Sequence, residues 1–173
     1  MDELATRLSR GEAAAFAELY DSCADRLHHY LAVQLGSRHQ DDDVLQETFL
    51  RLVRSAKRLE TVSNLTAFVF TVARNEAARY ASRQARQQPL FSGDDLFLTA
   101  SSADVAAREA ADTAAVALAQ LGPEQREVIE LKHFAGLTFR EIGEVIGVPT
   151  QTAATRYRAA LGRLRDWLAR QPT

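Results

Sequence analysis

The side chains best suited to recognition chemistry lie between Thr150 and Arg163. Gln151, Thr152, Thr155, Arg156, Arg158 and Arg163 place amide, hydroxyl and guanidinium groups within about four helical turns. These are the groups that read base edges or hold phosphates. A second row, Asn75, Arg79, Arg83 and Arg86, repeats at steps of four, four and three, which puts it on one helix face. Taken alone, that row is equally well read as a solvated surface. A third set, Asp43, Gln46, Glu47, Leu50, Arg51 and Arg54, combines charge with one apolar residue. An isolated outward Leu is ordinary, but it is also the form a partner-surface anchor takes.

Bond-making chemistry finds little support. His28, His29, His39 and His133 offer no i, i+4 pair and no carboxylate partner in a recognisable zinc pattern. There is no glycine-rich phosphate loop, and no Ser sits in a nucleophile elbow. The single Cys23 excludes an internal disulfide and a multi-thiolate zinc site. Lying within an apolar stripe, it is expected to be a small buried hydrophobe. Asp41, Asp42 and Asp43 project about 100° apart on a helix, so capping and the helix dipole explain them better than a metal does. The expectation is a binding protein, not an enzyme, with no cofactor and no metal.

The elements that must position the first set are sharply written. Thr138 with Glu141 three residues on has capping-box spacing. Ile142, Val145 and Ile146 face inward, and Gly143 permits a close crossing. Gly147 can leave the helix with positive φ, and Pro149 forbids its continuation. Thr150 is then expected to cap a helix whose inner face is Ala153, Tyr157, Ala160, Leu161 and Leu164. Helix, short glycine-containing turn, helix is the helix-turn-helix pattern, whose second helix enters the major groove.

The rest of the chain also reads as helical. It is rich in Ala, with only 8 Gly and 4 Pro in 173 residues, a helix-former's composition. Phe16, Leu19, Tyr20, Cys23, Leu27, Tyr30 and Leu31 mark the face of one helix; Val44, Leu45, Thr48, Phe49, Leu52 and Val53 mark that of a second, opened by the Asp run. Residues 59–64 read as a loop, and a third helix begins near Leu65. An aperiodic stretch from Gln87 carries Pro, Ser, Gly and Asp and reads as a linker. An Ala-rich helix follows over Asp104–Gln120, and Pro123 suits the first turn of the next. The expected fold class is all-α, with two small helical domains (1–87 and 104–173) joined by a linker (88–103), the second containing the helix-turn-helix.

In this order the segments resemble a known family. Asp41-Asp42-Asp43-Val44-Leu45-Gln46-Glu47-Thr48-Phe49-Leu50-Arg51-Leu52 resembles the core-polymerase-binding helix of the sigma-70 family, in its compact extracytoplasmic-function type. Phe68 to Arg79, with Ala73-Arg74-Asn75-Glu76-Ala77, resembles the helix after the loop that reads the promoter −10 element. Leu121-Gly122-Pro123-Glu124-Gln125-Arg126-Glu127-Val128 and the helix-turn-helix resemble the domain that reads the −35 element. The resemblance covers nearly the whole chain and implies a sigma factor that directs promoter-specific initiation. It assigns Asp43, Gln46, Glu47, Leu50, Arg51 and Arg54 to core RNA polymerase. Ser63 and Asn64 fall to the −10 loop, with Asn75, Arg79 and Arg83 beside the strand. Gln151, Thr152, Thr155, Arg156, Arg158 and Arg163 fall to the −35 element. The linker, with Asp94, Asp95 and Asp104, is implied to pass through a basic polymerase channel. The family often has Trp where Phe68 stands, a basic residue at Thr71 and a polar one at Ala154; the last two departures remove phosphate contacts.

Net charge is −2, from 21 Lys and Arg against 23 Asp and Glu, which speaks against a uniformly basic coat. Its distribution says more. Residues 61–87 carry four basic groups and one acidic, and residues 150–173 carry five and one. The positive charge therefore sits on the two segments expected to meet DNA. The implied partners are core RNA polymerase, promoter DNA and an anti-sigma protein. No apolar run approaches a bilayer span and the N-terminus is acidic, so a cytoplasmic location without membrane insertion is expected. Two other classes fit more loosely: a helix-turn-helix regulator with an N-terminal dimerisation or sensing domain, and an interaction module that binds polymerase without DNA.

Overall fold

The computed structural model describes residues 3–35, 38–87, 113 and 116–170, and every regular element among them is helical. The helices are α1 (Glu3–Ser9), α2 (Ala13–Leu35), α3 (Arg38–Arg54), α4 (Ala56–Leu59), α5 (Leu65–Gln87), α6 (Pro123–His133), α7 (Phe139–Ile146) and α8 (Thr150–Leu168). Residues 116–119 add a helical turn before α6. The expected linker, with Asp94, Asp95 and Asp104, lies outside the described residues, as does most of the helix expected over Asp104–Gln120.

Helices α2, α3 and α5 pack on one another, with α1 and α4 at one end, while α8 is held by α6 and α7. The N-terminal bundle buries Leu8, Leu27, Tyr30, Leu31, Leu52, Leu59 and Phe70 completely, each worth roughly 1.5–3 kcal/mol of apolar transfer. The same apolar cluster continues through Val128, Leu131, Leu137, Ile142 and Val145. A small second cluster, Leu118, Leu121, Ile129 and Ala160, lies beneath α8. The two halves are therefore packed together, through α5 on α7 and α2 on α6.

Several details differ from the sequence expectation. Helix α3 starts at Arg38, so the Asp run begins at the fourth helical residue, at the end of the first turn, and does not open the helix. Tyr20, Val53 and Leu161, placed on inner faces by periodicity, are 43%, 50% and 41% exposed. Each lies at the edge of its apolar stripe, where its packed neighbours cover it only in part. Tyr20 meets Phe49 of α3 at the surface, the rings tilted by 54° with centres 4.9 Å apart. Thr150 is the first helical residue of α8 and makes no capping bond; Pro149 is the N-cap. Its fixed φ and extended ψ turn the chain into the helix without a side-chain acceptor. Leu59, expected in a loop, ends α4 and is fully buried.

Candidate nucleic-acid and polymerase interfaces

The helix-turn-helix is built as its sequence specifies. The Thr138 backbone N–H donates to Glu141 Oε2 at 2.6 Å, and the Glu141 N–H donates back to Thr138 Oγ1 at 3.3 Å. This reciprocal pair satisfies two orphan donors of the first turn of α7. At its other end Gly147 adopts φ 72° and donates to the Gly143 carbonyl, the left-handed exit that glycine takes at least cost. The Val148 N–H closes on the same carbonyl at 2.9 Å. A Cβ on Gly143 would lie 2.7 Å from the Val148 carbonyl oxygen. The absent side chain thus makes room for the turn, more than for the crossing helix.

On α8, Ala153 and Ala160 are buried, and Tyr157 docks between His133 and Phe139. Opposite them Gln151, Thr155 and Arg158 are exposed, with Thr152 half-buried. Arg158 lies along its own helix, donating to the Ala154 carbonyl and to Thr155 Oγ1 at 3.3 and 3.4 Å. Arg156 turns to Glu124 at 3.0 Å and Arg163 to Gln125 at 2.9 Å. These two guanidiniums flank the outward row and are tied to the first turn of α6.

The second basic row is continuous: Asn75, Arg79, Arg83 and Arg86, with Ala78 and Ser82, line one shallow groove on α5. Behind it lies a feature the sequence did not reveal. Glu76 is almost fully buried and ion-pairs with both Arg51 of α3 and Arg79. One carboxylate thus couples an arginine of the third set to an arginine of the second. Ser63 is exposed in the loop before α5. Asn64 caps that helix, its Oδ1 accepting from the Ala67 N–H at 3.0 Å, and its Nδ2 donates to Glu141 Oε1 at 2.9 Å.

On α3, Asp43, Gln46 and Leu50 border a concavity together with Tyr20, His28 and Phe49. Leu50 is 43% exposed, and Glu47 and Arg54 approach to 3.5 Å. His28 lies between Asp41 and Asp42, 3.4 and 3.3 Å away, a carboxylate partnership the sequence reading did not find. Its ligand-type atoms fall within 4.8 Å of one another. Helix α3 brings them together from a site 13 residues away in the chain.

The halves meet through polar contacts of large sequence separation. Glu127 accepts from Tyr30 OH at 3.0 Å and from Arg74 Nε at 2.6 Å. Glu130 accepts from Gln34 at 3.0 Å, and Arg26 donates to the Ala135 carbonyl at 2.9 Å. The His29 ring lies on Phe134, centres 4.1 Å apart. Burial, then the nearby Glu127 carboxylate, holds the Tyr30 hydroxyl well above its ordinary range.

Residues 19–87 match the family model for sigma-70 region 2, and residues 117–166 that for sigma-70 region 4. The RNA polymerase sigma factor CarQ of Myxococcus xanthus is 32% identical to the chain, covering 94% of each. The chain belongs to the sigma-70 family. The extracytoplasmic-function sigma factor BldN of Streptomyces coelicolor is 30% identical over 92% of this sigma factor, which spans 62% of that relative's length. The Bartonella quintana sigma factor RpoE, solved with the anti-sigma factor NepR, shares the fold at 22% identity and TM-score 0.70. That match covers 91% of this chain and 98% of RpoE. No helix among the described residues is long and apolar enough to cross a membrane.

Proposed function

We propose that this sigma factor docks on core RNA polymerase through Asp43, Gln46, Glu47, Leu50, Arg51 and Arg54. Ser63 and Asn64 then take the −10 element, with Asn75, Arg79 and Arg83 steadying the unpaired strand. Gln151, Thr152, Thr155 and Arg158 read the −35 element, while Arg156 and Arg163 hold its phosphates. Residues 1–87 and 104–173 act as the two promoter-facing domains and residues 88–103 as their tether. The work is done by binding in the cytoplasm, where polymerase is met, and an anti-sigma protein is the remaining partner.

One observation carries the reading: an outward row of Gln151, Thr155 and Arg158 on a helix fixed by a complete capping box and a left-handed glycine exit. Side chains presented this way near a helix N-terminus reach base edges in the major groove. The test uses core polymerase and a template library randomised over the −35 and −10 elements. The native chain should enrich a defined pair of elements. Arg158→Ala should relax selection in the −35 element alone, by about 1–3 kcal/mol at the affected position, with core binding retained. Equal loss of selection at both elements would overturn the assignment.

A further inference from the structure

The docking of the two halves is laid out along matched helix faces. On α6, Glu127 and Glu130 stand three residues apart, with Phe134 at the helix C-cap and the Ala135 carbonyl just beyond; from α2, Tyr30, Gln34, His29 and Arg26 meet them in turn. Further along, Glu141 of α7 takes hold of Asn64. The −35 and −10 elements lie about 85 Å apart on straight duplex, at roughly 3.4 Å per base pair. A compact chain of this length is only about 40 Å across. The docked arrangement therefore cannot read both elements at once, and it occupies Asn64 meanwhile.

Within the seam one group is out of balance. Glu130 is 1% exposed. Its Oε2 receives the Gln34 amide, while its buried Oε1 has no hydrogen-bond partner. A carboxylate so placed lacks the donors an ionised group needs, whereas a carboxylic acid is tolerated. We propose that the docking is a proton-linked latch on promoter reading: closed, it withholds Asn64 and keeps the halves together, and it opens as Glu130 gives its proton to solvent. The latch rests on the assignment of Asn64 and α8 to the two promoter elements.

The charged and titratable neighbours fit this direction. Burial pushes the Glu130 carboxyl up; Arg126 draws it down, Glu127 raises it again and the Gln34 bond lowers it, leaving it at about 7. Across the seam α2 contributes Tyr30 and His29, and α5 contributes Arg74, which is already paired with Glu127. Opening returns Glu130 toward the ordinary carboxylate value of 4.5. Between those values closing takes up a proton. The ratio of closed to open forms then falls with rising pH, by up to about tenfold per pH unit, and levels off near 7.

Small-angle scattering of the full chain from pH 5 to 8 tests this. The native chain should be compact at pH 5 and expand toward pH 7.5. Glu130→Gln, neutral and of the same shape, should stay compact throughout. Arg74→Ala with Glu127→Ala should be expanded throughout. A native radius of gyration that does not change with pH overturns the latch. So does a pH response that persists in Glu130→Gln. Run-off transcription with core polymerase is scored separately: transcription alongside flat scattering removes the latch and keeps the promoter assignments, whereas a scattering response without transcription removes the promoter assignments.

Discussion

Replacing Gly143 by alanine places a methyl group 2.7 Å from the Val148 carbonyl oxygen and 3.4 Å from the Thr150 backbone nitrogen. Both are backbone atoms, so no side chain can swing aside. The carbonyl of Gly143 itself accepts from Val148 and Gly147, which ties the turn to the point where it must move. In an open helix the same change would add about 1 kcal/mol through propensity. Here overpacking costs about 1–3 kcal/mol, and loosening one hydrogen bond about 1 more. The net expectation is a loss of about 1–3 kcal/mol, or a fall in Tm of roughly 2–4 °C for each kcal/mol in a chain of this size. Gly162, in α8, is the matched control because a Cβ there meets nothing within 4 Å. Gly162→Ala should raise stability by up to about 1 kcal/mol. Differential scanning calorimetry of the three chains gives both signs. DNA selection should fall for Gly143→Ala, because the turn sets the tilt of α8. A Gly143→Ala chain as stable as the Gly162→Ala chain, with −35 selection unchanged, would refute the close approach and the reasoning built on it.

Thr138→Ala should cost about 1 kcal/mol of stability, measured by urea unfolding, through loss of the cap. Burial pushes the Glu141 carboxyl up, but bonds from Asn64, the Thr138 backbone and the Thr138 hydroxyl outweigh it and hold the group below its usual value. The stability it contributes is therefore present above the ordinary carboxylate range and fades as pH falls through and below that range; Glu141→Gln should flatten that part of an acid-stability profile. Burial pushes the Cys23 thiol up to about 11, so a thiol-reactive dye at pH 8 should label the native chain far more slowly than the urea-unfolded one. Leu50→Ala should weaken core-polymerase binding in a competition assay while leaving Tm within about 1 °C, because the side chain is already 43% exposed.

The helix-turn-helix was legible because its determinants are local: the Thr138–Glu141 pair, the left-handed Gly147 and the break at Pro149 act within about three residues of themselves. The basic row of α5 was legible for the same reason, since helical spacing alone puts Asn75, Arg79 and Arg83 on one face. Stripe edges were not, because periodicity gives the direction of an apolar face and not its covered width; Tyr20, Val53 and Leu161 fall in that gap. Long-range polar contacts were hidden altogether. Glu76, Glu127 and Glu130 look like surface carboxylates in sequence, and only the packing of α3, α5, α2 and α6 turns them into buried or bridging groups. His28 joins Asp41 and Asp42 through the same kind of non-local packing.

A sigma factor joins core polymerase to a promoter. Purified full-length chain, added to core RNA polymerase lacking any other sigma factor, should co-elute with it on size exclusion and yield run-off transcripts with a shared start site from a randomised promoter library. A chain that neither co-elutes with core polymerase nor produces a defined start site would not be acting as a sigma factor.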